Sequence, residues 1–518
     1  MDGVRWLAGS IAGRGDSACS AGARPPQEGG RGTRPRATGY GPPLCYLSRV
    51  TRPLARAAAL AGPSALLAAY QLAPLPVALA AALGFLVCAW RWPAAALPAV
   101  VLALPFHQLL RPVIGAWSFS AAEVGIVLCA GGALLRLAGR GPNPPAPFPT
   151  REGGPGGVGL SSFDLAALAF VALGALSLTA SIRPWESLRS LRTIVVEPVA
   201  FYFLVVWLGG GRPGARRLAG AVVASAVAVS LVGLYQYATN QNIITAEESL
   251  RRIRAFYGSP NNLGLYLGRA APLALCLWAF GGGQWRYGLA LVPIGAALVL
   301  TFSVGAWLGV VAALVFVAAV RGRRALIAVV AGLAALAALA APLLLGLERF
   351  RSHLDFGEGT TFQRLQVWLS ALSMVRDHPL LGIGLDNFLC YYRDLGYILP
   401  GGWREPNLSH PHNLVLDFWL SLGLAGLILS LALLARFFGV GLAVYRAERE
   451  PWARALALGI VASMVDFVAH GLIDNSYFLV DLAVLFWLSS AILRVLPAAA
   501  PRRARPEERP GNLEVAPP

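Results

Sequence analysis

The chain has 518 residues, of which 56% are hydrophobic and 13% charged, and its mean hydropathy is +0.60; this excludes a set of soluble domains and describes a polytopic membrane protein. The formal net charge is +17 and all 43 basic residues are arginine. These arginines fall in short stretches between apolar segments, as the positive-inside rule requires, and not on a basic face with interleaved aromatics, so nucleic acid is not an expected partner.

Residues 1–53 are rich in Gly, Pro, Ala and Arg without apolar periodicity and read as a disordered cytoplasmic tail. They lack the three regions of a signal peptide, so insertion is expected to rely on the spans themselves. The apolar stretch 57–90 is broken by Gly62-Pro63 and Pro74-Leu75-Pro76. It predicts two short spans in a tight hairpin, with a re-entrant pair as the alternative. Spans at 94–110 and 119–137 follow, then a Pro/Gly-rich linker at 139–159, expected to be a flexible cytoplasmic loop.

Further apolar runs lie near 162–181, 193–209, 217–237, 261–280, 286–302, 304–320, 324–346, 413–435, 453–473 and 478–495. Each is close to the ~20 residues a bilayer demands. The fold class is therefore all-α, a polytopic transmembrane helical bundle of about 12–14 spans with one long external loop. The expected divisions are the tail 1–53, N-terminal spans and linker 54–160, a core of spans 161–346, the external loop 347–412, C-terminal spans 413–497, and a second disordered cytoplasmic tail 498–518.

With the termini inside, every inside loop carries arginine, and the outside receives 107–118, 182–192, 238–260 and 347–412. Two outside loops break the rule, one with Arg183, Arg189 and Arg192, the other with Arg251, Arg252 and Arg254. Arginine on the translocated side needs a partner. A phosphate-bearing substrate is one; Glu186, Glu197, Glu247 and Glu248, or lipid headgroups, are the alternative.

Within the long loop, Phe362, Leu365, Leu369, Leu372 and Val375 have helical spacing, with Trp368 beside the stripe. They predict an amphipathic helix over 361–377, lying on the membrane and ended by His378-Pro379. Gly382-Ile383-Gly384 then allows a tight turn, and 385–395 a second short helix. The loop closes on Ser409-His410-Pro411-His412-Asn413 at the mouth of an apolar span, where titratable groups are functional candidates.

His412-Asn413, followed after nine residues by Gly423-Leu424-Ala425-Gly426, resembles the histidine motif of the O-antigen ligase and O-antigen polymerase superfamily of bacterial membrane glycosyltransferases. Three more stretches agree in order. Arg254 to Asn262, with Pro260-Asn261-Asn262, resembles the family's arginine and Pro-Asn segment; Arg364 to Phe388, with Trp368 and Asp377 to Gly384, resembles the segment ahead of the histidine. Ser303-Val304-Gly305-Ala306 matches a stretch that more often has arginine after the serine, so Val304 departs from the pattern. The resemblance covers roughly 180–490, making 161–346 a ligase-like core.

The resemblance implies glycan transfer at the outer face of the bacterial inner (plasma) membrane. The donor would be a polyprenyl-diphosphate-linked glycan, the acceptor a sugar hydroxyl on lipid A core or on a growing polysaccharide, without nucleotide sugar, cofactor or metal. The residue types suit that chemistry. A diphosphate leaving group needs cations, for which Arg254 and then Arg192 and Arg189 are the candidates. A hydroxyl benefits from a neutral imidazole, for which His412 is the candidate.

Asn413, Asn261, Asp474, His470, Arg364 and His410 are supporting candidates. Asn413 suits a helix cap. Asp466, His470 and Asp474 fall at i, i+4 and i+8 and are expected on one face of a span, pointing toward the site or hydrogen-bonding a neighbouring helix. No metal is expected, since His410 and His412 lack i,i+4 spacing and no Asp-x-Asp or His-Glu-x-x-His accompanies them. Among the six cysteines no spacing suggests a disulfide framework or a zinc site. A transporter or flippase of lipid-linked glycans is the competing reading; it should show an internal repeat with interrupted helices, and no clear repeat is visible. Ligase and polymerase are not separable from these residues.

Overall fold

In hydrocarbon a backbone must satisfy its own hydrogen bonds, so a chain this apolar resolves into helices. A computed structural model describes residues 61–114, 117–140, 160–245 and 250–496. The expected tails 1–53 and 498–518, Glu247, Glu248 and most of the 139–159 linker lie outside these residues. Among the described residues, nine helices are long and apolar enough to cross a membrane. The all-α polytopic fold is borne out.

The N-terminal hairpin consists of α1 (residues 61–72) and α2 (Leu75–Arg91), where Leu66 packs against Gly84. Pro74 separates them, and proline disfavours helix at the residue before it. Then come α3 (Pro93–Ala103), α4 (Ala121–Leu135), α5 (Ser162–Ser177), α6 (Pro184–Leu208) and α7 (Gly211–Thr239). The core continues with α8 (Pro260–Phe280), α9 (Trp285–Leu300), α10 (Val304–Arg321) and α11 (Arg323–Gly346). Two helices of the long loop, α12 (Glu348–Leu354) and α13 (Thr360–Asp377), precede α14 (Leu414–Ala447), α15 (Pro451–Gly471) and α16 (Val480–Val495). Two small antiparallel hairpins, Arg111–Ile114 with Trp117–Phe119 and Ile244–Thr245 with Arg251–Arg252, are the described strands.

Two expectations change, and the amphipathic helix α13 forms over the residues expected for it. Helix α6 begins at Pro184, so Arg189 and Arg192 lie within a helix and not in a loop; Pro at its start needs no backbone donor. The second short helix expected over 385–395 shrinks to one wide turn, Cys390–Asp394. On α13 the Leu365, Leu369 and Leu372 stripe is exposed, while the other side, Val367, Ala371 and Met374, is buried. That side packs with Ile383, Phe388, Tyr392, Leu416 and Leu420 into a second apolar core, separate from that of the bundle.

This second core seats the loop on the first turns of α14. The junction is built on glycine: Gly423 has φ 73° inside α14, and Leu424 N–H donates to the Leu380 carbonyl at 3.1 Å. Ile383 N–H donates to the Leu420 carbonyl at 2.7 Å and Trp419 Nε1 to the Pro379 carbonyl at 2.8 Å. A side chain at Gly423 would collide with the Leu380–Leu381 backbone. Loop and helix are thus joined at the glycine motif about three turns after His412.

Candidate active site

The site forms where α14 starts and α15 ends. Asn413 caps α14, its Oδ1 accepting from Val415 N at 3.0 Å and Leu416 N at 3.2 Å. Its Nδ2 donates to the Leu472 carbonyl at 3.0 Å, tying the two helix ends together. His412, just before the cap, has φ 51°, and its carbonyl accepts from Trp368 Nε1 of α13 at 3.2 Å. A left-handed backbone at a non-glycine residue is strained and persists where its surroundings hold it, here on two sides.

Asp474 receives the histidine. Helix α15 ends at Gly471, so Asp474 leaves the helical face expected for it and sits in the following turn. Its Oδ1 lies 3.0 Å from His412 Nδ1 and accepts from Asn475 N at 2.8 Å. His410 Nε2 is 3.8 Å from Oδ1, and His470 Nε2 is 3.9 Å from Oδ2. Burial pushes the Asp474 carboxyl up, but the surrounding His412, His410 and His470, two of them through hydrogen bonds, outweigh it and hold it well below the usual carboxylate range. A carboxylate at Nδ1 holds the ring proton there and leaves Nε2 as a proton acceptor. The His412 side chain is 18% exposed, so that acceptor is reachable.

The turn carrying Asp474 is fixed from below by a residue the sequence reading did not single out. Arg269, buried in α8, donates from Nη1 to Asp466 Oδ2 at 3.0 Å and from Nη2 to the Ser476 carbonyl at 3.1 Å. Small residues bring the helices close enough: a Cβ at Gly268 would lie 2.6 Å from Asp466, and one at Gly305 2.6 Å from His470.

A second group of cations gathers around the α9–α10 break. Arg252 Nε donates to the Thr301 carbonyl at 2.8 Å and its Nη2 to Asn261 Oδ1 at 3.0 Å, while Arg349 Nε donates to the Phe302 carbonyl at 3.0 Å. Arg364 lies on α13 one turn before Trp368, whose Nε1 donates to the His412 carbonyl, and its charge also acts on His353. Burial lowers the His353 pKa, and Arg364, Arg349 and Arg252 lower it further against a raising hydrogen bond to the Arg349 carbonyl. A neutral imidazole among three guanidinium groups is a setting for an anion. Arg349 and His353 come from a short helix with no sequence signal for this role.

The arginines named from sequence stand in different settings. Arg254 is held by Asn242, whose Oδ1 lies 2.5 Å from Nη2 and 3.1 Å from Nε, with no carboxylate partner among the described residues. Arg192 is engaged by Glu197 at 2.9 Å and Glu123 at 3.4 Å and lies 4.5 Å over the Phe119 ring, the arrangement of a structural cation. Arg189 is exposed beside Asp386. His410, His412 and Asp474 offer three donor atoms within 4.8 Å of one another, a grouping able to hold a metal ion. Spacing along one segment does not display this grouping, because its third donor comes from 62 residues on.

Residues 289–431 match the family model described as O-antigen ligase. The resemblance to the O-antigen ligase superfamily stands. The ligase match runs from α9 into α14 and takes in Arg349, His353, Arg364, His410, His412 and Asn413, whereas Arg252, Arg254, His470 and Asp474 lie outside it. It supports a membrane glycosyltransferase-like ligase role for this multi-pass protein. Among curated proteins, none matches the chain.

Proposed function

We propose that the protein transfers a glycan from a polyprenyl-diphosphate donor to an acceptor sugar hydroxyl, at the external face of a bacterial inner membrane. The observation that carries this reading is the His412–Asp474 pair at 3.0 Å, with Arg364 one turn ahead of the Trp368 whose indole donates to the His412 carbonyl. His412 Nε2 takes the hydroxyl proton while the hydroxyl oxygen attacks the anomeric carbon. The bond from that carbon to the diphosphate oxygen breaks with inversion, and the electron pair leaves on polyprenyl diphosphate. Arg252, Arg349 and Arg364, with Arg254 next in reach along the chain, stabilise the charge on that leaving group. The acceptor is lipid A core or a growing polysaccharide, and no metal takes part.

The His410, His412 and Asp474 donor grouping favours one alternative, a divalent metal at the same place. The 3.0 Å contact between His412 and Asp474 favours the direct pair. The deciding experiment for the function is turnover of a defined polyprenyl-diphosphate glycan with a defined acceptor by the purified protein. A new glycosidic bond supports transfer. Movement of the intact donor between leaflets, without bond formation, assigns the protein to transport.

A further inference from the structure

At the far end of the bundle from His412, four helices enclose a pocket of about 180 Å³ lined by Phe280, Arg321, Tyr445, Arg449 and Arg454. The opposition follows from chain direction. Helices α10 and α14 begin beside the site and bring Arg321 and Tyr445 to the pocket at their other ends, while α15 starts at the pocket and ends at His470. The pocket therefore lies at the depth of lipid headgroups on the other side of the membrane.

Its charge is not compensated. Among the described residues, Arg321, Arg449 and Arg454 have no carboxylate within ion-pair distance, and the acids nearest in sequence face elsewhere. Glu448 pairs with Arg212 at 2.7 Å, and Glu450 with Arg212 at 3.3 Å and Arg216 at 3.4 Å. Two of the guanidinium groups are instead steadied by rings. Arg321 lies 4.5 Å over Phe280; Arg454 lies 4.7 Å over Tyr445, with Nη2 3.5 Å from the phenol oxygen. Aromatic faces orient a cation without neutralising it. Two oriented guanidinium groups and a third, exposed one around one concavity can donate to the tetrahedral oxygens of a phosphate group.

We propose that this pocket binds a phosphate ester, supplied by the headgroup of an anionic phospholipid in the leaflet opposite the site. Scattered arginines would satisfy the positive-inside rule without a pocket; three sharing one cavity free of carboxylates form a binding site.

The test measures thermal unfolding of the purified full chain in dodecyl maltoside, with dioleoylphosphatidylglycerol, dioleoylphosphatidylcholine or inorganic phosphate added. Phosphatidylglycerol is expected to raise the midpoint of the wild type by several degrees and phosphatidylcholine to raise it little. The R321Q/R449Q/R454Q variant should lose that response, and R286Q, which removes an exposed arginine outside the pocket, should keep it. If the triple variant shows no folded transition, R449Q serves, since Arg449 is exposed and makes no described contact; its response should weaken several-fold. A shift produced equally by inorganic phosphate upholds the phosphate site and overturns the lipid source. No shift in the wild type, or an equal phosphatidylglycerol shift in wild type and pocket variants, overturns the site.

Discussion

His412 Nδ1 lies 3.0 Å from Asp474 Oδ1, although the two residues are 62 positions apart and belong to different helix ends. The Asn413 side chain, bonded both within α14 and to the Leu472 carbonyl, sets that distance. The pair acts as a unit, and so the first prediction concerns coupling. His412→Ala should lower transfer by ~10²- to 10⁴-fold, the usual worth of a general base. Asp474→Asn should cost a large part of the same factor, and the double variant no more than His412→Ala alone. Initial rates with a defined donor check this; a double variant as slow as the product of the two single losses would separate the residues.

The second prediction is a pH dependence of stability. Asp474 has a folded-state pKa below its unfolded value, so its contribution is fully present above the unfolded carboxylate range and is lost as pH falls through the folded value. The difference in unfolding midpoint between wild type and Asp474→Asn should therefore be largest near neutrality and shrink once pH falls below ~4. A difference that grew on acidification would show the opposite sign and remove the carboxylate from the assigned role.

The helices, the loop and the His412 mouth were legible because each rests on local pattern: apolar length, a proline after His378, a histidine pair before an apolar run. The glycines were legible only as a motif; their reason, contact between the Leu380–Leu381 backbone and Gly423, needs the folded loop. Arginine roles were the least legible. Arg192 is separated by 69 residues from Glu123, one of the acids that engages it, whereas Arg252, Arg349 and Arg364 meet from three segments without sharing any periodic pattern. Which cations are already paired is a tertiary property, and sequence displays only which side of the membrane they occupy.

That difference yields the third prediction. Arg364→Lys and Arg254→Lys should lose much of the transfer rate despite keeping the charge, because a point-like ammonium does not reproduce a guanidinium fork. Arg192→Ala should instead act on stability, since it leaves Glu123 and Glu197, both buried, beside one another without their cation. The readouts are donor-dependent kinetics for the first two and the unfolding midpoint for the third. Normal stability with abolished transfer in Arg192→Ala would return that residue to the diphosphate site.

The fourth prediction is topological. Single cysteines at Leu380 and Trp403, both exposed in the long loop, should react with an impermeant reagent applied from the outside of intact cells. A cysteine at Arg449, at the other end of α14, should react only after the membrane is opened. The reverse pattern would invert the bundle and place the site on the cytoplasmic face.

The last prediction concerns stereochemistry and metal together. One base on one face of the anomeric carbon, with the cations receiving the leaving group, describes a single displacement, in which the new bond forms opposite the bond that breaks. The product should therefore carry the anomeric configuration opposite to the donor's, which coupling constants in the NMR spectrum of the isolated product report. Retention would require a second displacement through an enzyme nucleophile, and a carboxylate held by three imidazoles is already engaged elsewhere. The same preparation treated with a chelator and passed into metal-free buffer should turn over at the untreated rate, because His412 takes the proton directly. If activity vanished on chelation and returned with one divalent ion, the donor grouping of His410, His412 and Asp474 would be a metal centre, and His412 a ligand whose lone pair is occupied and unable to act as the base.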